Sequence, residues 1–159
     1  MKDEKTLFLR HTLATLAYRG AKALRGAPDE FATFRAGPKT RTPAQILAHL
    51  GDLLDWGLSL ANGKETWQNS PPLDWEAGVE RFFRGLEALE ARLANGAELG
   101  TSPEKLFQGP IADSLTHIGQ IAMLRRLAGS PVRGENYLVA KIAAGGVGAD
   151  QAAAAFEFD

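Results

Sequence analysis

Two side chains that can bind a metal ion or move a proton lie four residues apart in an apolar segment. Asp113 and His117 occur in IADSLTHIGQIAMLRRLAG, residues 111–129, whose apolar residues recur at helical spacing. At about 100° per residue, the two positions lie about 40° apart around a helix, so both side chains point inward on one face. An unpaired carboxylate or imidazole is costly to bury. The sequence therefore predicts a polar partner opposite this face.

His49 is the candidate partner, in the earlier segment AHLGDLLDW. It lies at the edge of an apolar helical stripe that includes Ile46 and Leu53. If the two helices are neighbours, His49 meets Asp113 and His117 across the core. Two imidazoles and one carboxylate form a three-ligand site with open positions, which suits zinc, nickel or ferrous iron. The chain has no cysteine, so nitrogen and oxygen must supply the ligands.

The same residues also have a purely structural interpretation. Asp113 can accept a hydrogen bond from His117, or lie near a helix N-terminus, where the helix dipole favours a negative charge. His49 can be a partly exposed residue at a bundle edge. Spacing alone leaves the metal site and the structural network both open.

Two further polar residues are candidates for a supporting role around the ligands. Asp52, three residues after His49, can orient the second ring nitrogen of that histidine or face solvent. Gln120 lies beside Asp113 on the helical wheel and can hydrogen-bond a water on the metal or another helix.

Other chemically versatile residues have simpler expected roles. His11 lies opposite the apolar stripe of its helix, so we expect a surface histidine and exclude it as a ligand. Arg125 and Arg126 fall in the last turn of their helix, where positive charge complements the helix dipole. The three tryptophans are expected to pack in the core or against loops, namely Trp56, Trp67 and Trp75.

The elements that carry these residues are four amphipathic helical segments separated by Gly- and Pro-rich breaks. We predict an all-α four-helix bundle, with room for a short fifth helix over residues 137–145. The chain is expected to be one domain, residues 1–159, with an irregular tail over 146–159. The predicted helical segments are 6–25, 43 to the Asn62-Gly63 pair with Thr42 as N-cap, 75–94 capped by Asp74, and 103–128, the last divided or kinked at Gly109-Pro110.

Charge and hydropathy limit the classes of partner. The 18 basic and 19 acidic residues leave a formal charge of -1, so no electrostatic footprint for nucleic acid or an anionic membrane is present. The N-terminal segment lacks the apolar core of a signal peptide, and no stretch has the length and apolar character of a membrane span. We therefore expect a cytoplasmic protein.

The order of the helices, with ILAHLGDLLDW in the second and DSLTHIGQIAMLRRLAG in the fourth, resembles the DinB family, also called DinB/YfiT-like metalloenzymes. The resemblance covers nearly the whole chain. In that family a histidine of the second helix and an H-x-x-x-H pair of the later helix bind a divalent metal, and Gln commonly follows three residues after the last histidine. His49, His117 and Gln120 match these positions, whereas Asp113 replaces the middle histidine.

The resemblance implies a divalent-metal enzyme, with zinc or nickel as the leading ions and iron next. It also implies a thiol-dependent transferase or a metal-assisted hydrolase, and a homodimer. Because the chain has no cysteine, a reacting thiol would arrive as a low-molecular-weight cosubstrate. The alternative is that Asp113 marks a degenerate site, and that the protein is a metal-free, non-catalytic binding or stress-associated module.

Overall fold

The computed structural model describes residues 4–158 of the chain. Within them, the predicted all-α architecture is confirmed. The long helices are α1 Glu4–Leu24, α2 Pro43–Ala61 and α3 Trp75–Ala94. The fourth helical region comprises α4 Pro103–Leu106, a π-helical turn Phe107–Ile111 and α5 Ala112–Leu127.

The helices pack as a closed four-membered bundle. Helix α1 contacts α3 and α5, and α2 contacts the same two helices, so α1 and α2 occupy opposite corners. Each helix contributes its apolar stripe to one core, as its periodicity predicts. Fully buried members include Leu13, Leu16, Leu50, Leu54, Phe82, Leu86, Leu89 and Ile121. This arrangement makes α2 and α5 neighbours.

The start of α2 follows local sequence signals. The Thr42 hydroxyl accepts a hydrogen bond from the Gln45 N–H at 3.2 Å, and the Gln45 side chain accepts one from the Thr42 N–H at 2.9 Å. This capping box, with Pro43 in the first turn, fixes where the helix begins. Asp74 occupies the N-cap position of α3 as predicted, but its side chain makes no capping hydrogen bond.

The predicted break at Gly109-Pro110 is a π-helical turn. Pro110 has no N–H to donate and its ring crowds the preceding turn, so a regular α-helix cannot pass through it. The Ser114 hydroxyl donates to the Pro110 carbonyl at 2.7 Å. Gly109 lies against Trp56 of α2, where a Cβ would come within 3.2 Å of the indole ring. The turn therefore lets this segment approach α2 closely.

The short fifth helix predicted over 137–145 is wrong. Only a single 3-10 turn, Tyr137–Val139, forms there. Leu138 is 91% exposed, because the core offers this segment no surface on which a helix could bury an apolar stripe. Gly145, with φ of 93°, adopts a backbone conformation that a helix excludes.

The C-terminal segment is held on α1 by a small antiparallel strand pair that the sequence did not predict. Strand β1, Gly134–Glu135, pairs with β2, Glu157–Phe158. The buried Glu135 carboxylate accepts hydrogen bonds from Tyr18 and from Lys22, the latter at 2.8 Å. Burial and the adjacent Glu135 raise the pKa of Tyr18 to about 12. The phenol thus stays protonated as a donor across the physiological range.

Candidate metal centre

The structure brings the three predicted ligands together between α2 and α5. His49 lies in the middle of α2, and Asp113 and His117 occupy the first two turns of α5. The Asp113 carboxylate lies 3.6 Å from His49 Nε2 and 3.4 Å from His117 Nε2. One ligand atom from each residue lies within 4.8 Å of the other two, so the group can hold a metal ion.

These separations are longer than good hydrogen bonds and leave room for an ion between the side chains. An N–H···O bond has a donor–acceptor distance of about 2.7–3.2 Å. A tetrahedral zinc ion with ligand bonds of about 2.0–2.1 Å separates its ligand atoms by about 3.4 Å. His117 Nε2 lies 3.4 Å from Asp113 Oδ1 and His49 Nε2 lies 3.6 Å from the other carboxylate oxygen, Oδ2, so the two rings approach the carboxylate closely enough to share an ion with it.

The ligands differ in exposure, which corrects one expectation. The side chains of His49 and His117 are 19% and 11% exposed, but that of Asp113 is 46% exposed. Asp113 therefore does not point into the core, because Ile118 and Ile121 occupy the centre of the α5 apolar face. The two imidazoles are held by packing, and the carboxylate lies where the site meets water.

Gln120 determines which nitrogen of His117 is available. Its side-chain oxygen lies 2.7 Å from His117 Nδ1. An amide oxygen only accepts hydrogen bonds, so in the neutral form of the ring Nδ1 carries the proton and Nε2 keeps its lone pair. Nε2 is the atom directed at Asp113. Gln120 thus makes the contact to a ligand's second nitrogen that metal-binding histidines usually require.

The surroundings of His49 favour its neutral form. Burial, followed by the nearby charges of His117 and Arg41, lowers the pKa of His49, and the opposing effect of Asp113 is smaller. A histidine must be neutral to bind a metal ion. Arg41, which immediately precedes the α2 N-cap, was not singled out in the sequence because it belongs to no recognisable motif.

Asp52 has a different role from either predicted one. It neither orients His49 nor faces solvent, since its residue is only 3% exposed. Its carboxylate accepts from the Ser70 N–H at 2.8 Å, the Ser70 hydroxyl at 2.7 Å and Arg81 at 2.8 Å. Burial acts to raise the pKa of Asp52, but these contacts from Ser70 and Arg81 outweigh it and lower the pKa. Asp52 anchors the segment after α2.

That segment, residues 62–74, places an aromatic wall beside the site. The Trp67 ring packs edge-on against His49 at 5.7 Å and against Trp56 at 5.8 Å. Besides the Ser70 anchor, the Thr66 N–H donates to the Ser59 hydroxyl at 3.0 Å. In the sequence these residues appear only as a break between helices, so the position of Trp67 was missed.

Two predictions about other polar residues have opposite outcomes. His11 is exposed on α1, as expected. Arg125 does more than complement a helix dipole, since it is 4% exposed and donates to the carbonyls of Ala23 and Arg25, both at 2.9 Å. Its Nε also donates to the Ser130 carbonyl at 2.7 Å. Arg125 thereby joins the C-terminal ends of α1 and α5 and is structural.

No protein-family model, curated protein or solved structure matches this chain. Among the described helices, none combines the length and hydropathy that crossing a membrane requires. The resemblance to the DinB family stays a prediction. The geometry of His49, Asp113 and His117 is the feature of the chain that points to a function.

Proposed function

We propose that the protein is a divalent-metal-binding enzyme of the DinB-like kind, with His49, Asp113 and His117 as ligands. The observation that carries this proposal is the convergence of the three side chains, each of which offers one ligand atom within 4.8 Å of the other two. Two imidazoles and a carboxylate suit borderline ions, so zinc and nickel are the leading candidates and ferrous iron follows.

A divalent ion in such a site polarises a substrate oxygen, or makes a water or thiol more acidic. The protein's own residues prepare the site for this chemistry. Gln120 fixes the tautomer of His117, and Trp67 shields one side of His49. Asp113 is the most exposed of the three residues, so the site is open to solvent at the carboxylate.

The reaction classes that fit are thiol-dependent transfer and metal-assisted hydrolysis. Both need coordination positions beyond the protein's three ligands, and a three-ligand set leaves such positions. With no cysteine in the chain, transfer to or from sulfur requires a low-molecular-weight thiol as cosubstrate. This assignment rests partly on the family resemblance.

The competing candidate is a metal-free, non-catalytic binding module. Asp113 favours it, because its carboxylate lies within ion-pair distance of both imidazoles and can balance their charge if they are protonated. The group would then be a polar network that stabilises the contact between α2 and α5. Metal retention separates the two candidates.

The deciding experiment is elemental analysis of untagged protein after dialysis against zinc, nickel, ferrous iron and manganese in turn. His117→Ala removes a ligand, Asp113→Asn removes the carboxylate charge, and His11→Ala is the matched control because His11 is exposed on another helix. We expect about one equivalent of metal in the parent and in His11→Ala. The metal should be lost in His117→Ala and held more weakly in Asp113→Asn.

Thermal unfolding of the same samples gives a second readout. An ion that binds only the folded state, at a free concentration of 100 times its Kd, stabilises the protein by about 2.7 kcal/mol. The variants that retain the metal should be stabilised by it, and the variants that lose the metal should not. No retention of any of the four metals would establish the metal-free alternative, and retention unchanged in His117→Ala would place the ion elsewhere.

The proposal includes a homodimer formed through a bundle helix. Leu7 and Phe8 near the start of α1 are 56% and 68% exposed, an unusual exposure for adjacent large apolar residues. Light scattering after size exclusion tests this directly. A mass of 17.1 kDa in dilute solution would rule out a tight dimer.

A further inference from the structure

A cavity of about 410 Å³ borders the candidate ligand His117. This volume lies in the range of about 300–1,000 Å³ that small-molecule sites occupy. Ile46, Met123 and Leu124 provide apolar lining, and Arg41 and Gln120 provide polar groups. Larger grooves of about 570 and 680 Å³ exist elsewhere, but none of the three candidate ligands lines them.

The backbone of Arg41 is held on both sides. Before it, the Thr40 hydroxyl donates to the Gly37 carbonyl at 2.8 Å, and Arg35 donates to the Thr40 carbonyl at 2.8 Å. After it, Thr42 forms the capping box of α2. The Arg41 side chain therefore extends from a fixed point at the cavity.

The guanidinium of Arg41 is also uncommitted. Among residues 4–158 it has no hydrogen bond or ion pair, unlike the guanidinium of Arg81 and that of Arg125. It lines the same cavity as His117, which places its charge beside the candidate metal centre. A guanidinium offers two parallel N–H groups that match the two oxygens of a carboxylate.

Gln120 joins the cavity to the metal centre. Its amide oxygen is engaged by His117 Nδ1, and its amide N–H groups remain able to donate to a ligand. The lining thus combines one cation, one amide donor and an apolar surface, next to a ligand of the candidate metal ion. This combination selects a molecule with a single negative charge and an apolar body.

We propose that this cavity is the substrate subsite and binds a small organic carboxylate, with the carboxylate on Arg41 and the apolar body against Ile46, Met123 and Leu124. The inference rests on the proposed function, because it names the substrate class of the same site. A monocarboxylate is favoured over a phosphate, since only one guanidinium lines the cavity and Asp113 adds a negative charge nearby.

The test is a ligand-observed NMR titration with hexanoate, which has one carboxylate and an apolar chain. The affinity for hexanoate is compared among three zinc-loaded proteins: the parent, Arg41→Gln and Lys39→Gln. The metal content of each sample is measured. Lys39 is an exposed cation two residues away that does not line the cavity, so Lys39→Gln controls for the loss of charge. Arg41→Gln should weaken hexanoate binding about tenfold, because a charge-assisted pair is lost. Lys39→Gln should leave it unchanged, and hexan-1-ol should bind the parent about as weakly as hexanoate binds Arg41→Gln.

The titration is repeated after the metal is removed by a chelator. This distinguishes a failure of the proposed metal site from a failure of the proposed carboxylate subsite. If the parent retains no metal, the proposed function fails, and the comparison of Arg41→Gln with the parent still decides whether the cavity binds carboxylates. Equal hexanoate affinity in the parent and Arg41→Gln would overturn the assignment, as would no binding to the parent. A loss of affinity on chelation but not in Arg41→Gln would also overturn it, because the carboxylate would then bind the ion.

Discussion

Replacing Asp52 with asparagine should destabilise the fold by about 2–3 kcal/mol and release the segment that holds Trp67 against His49. Removing one member of a fully buried ion pair costs about 3–5 kcal/mol. The cost here should be lower, because Arg81 is 22% exposed and keeps its contact with Asp55 at 2.7 Å. Asparagine also retains one oxygen that can accept from Ser70.

The free energy of unfolding is measured by urea denaturation followed by circular dichroism. Asp55→Asn is the matched control, since Asp55 contacts the same Arg81 but its side chain is 47% exposed. A pair with such an exposed partner contributes less than about 1 kcal/mol. For a chain of this length, the loss in Asp52→Asn corresponds to a fall in Tm of about 6–9 °C.

The pH dependence follows from the direction of the pKa shift. The folded state lowers the pKa of Asp52, so its contribution is complete above the unfolded value of about 4. The contribution is lost as the pH falls through the lower, folded value. The stability gap between parent and Asp52→Asn should be constant near neutral pH and close below about pH 4. A gap that persists in strong acid, or an equal loss in Asp55→Asn, would refute the reasoning.

Two further substitutions separate binding from stability. Gln120→Leu should weaken zinc affinity about 10- to 100-fold in a chelator competition, because His117 Nδ1 loses its acceptor, while unfolding of the metal-free protein stays nearly unchanged. Unchanged affinity would contradict the role given to Gln120. Arg125→Met should destabilise the protein by about 2–4 kcal/mol in urea, because the carbonyls of Ala23 and Arg25 lose their donor. Arg126→Met is the control, because Arg126 is exposed. An equal loss of unfolding free energy in Arg126→Met would show that Arg125 does not join the two helix ends.

The bundle and the shared face of Asp113 and His117 were predictable because their signals are local. The apolar period gives each helix its buried face, and Thr42 and the Gly109-Pro110 pair mark helix boundaries within a few residues. The four-residue spacing of Asp113 and His117 then places both on one side of α5. Their meeting with His49 was predicted only on the condition that α2 and α5 are neighbours, which is a tertiary contact that local signals do not specify.

The features that were wrong or missed depend on residues far apart in the chain. The exposure of Asp113 depends on where the bundle surface falls, which helical angles alone do not specify. Glu135 is buried through Tyr18 and Lys22, more than 100 positions earlier. Trp67 and Arg41 reach the site through tertiary packing, and neither belongs to a local motif.

The π-helical turn Phe107–Ile111 determines where this chain can lose a residue without disturbing the candidate metal centre. A π turn contains one residue more than an α-helical turn over the same path, and each residue rotates a helix by about 100°. Deleting a single residue there would leave an α-helical turn over the same path, so α5 would keep its rotation and Asp113 and His117 would still face His49. Deleting a residue from regular helix between Asp113 and His117 would instead rotate one of them by about 100° relative to the other and break up the candidate metal centre.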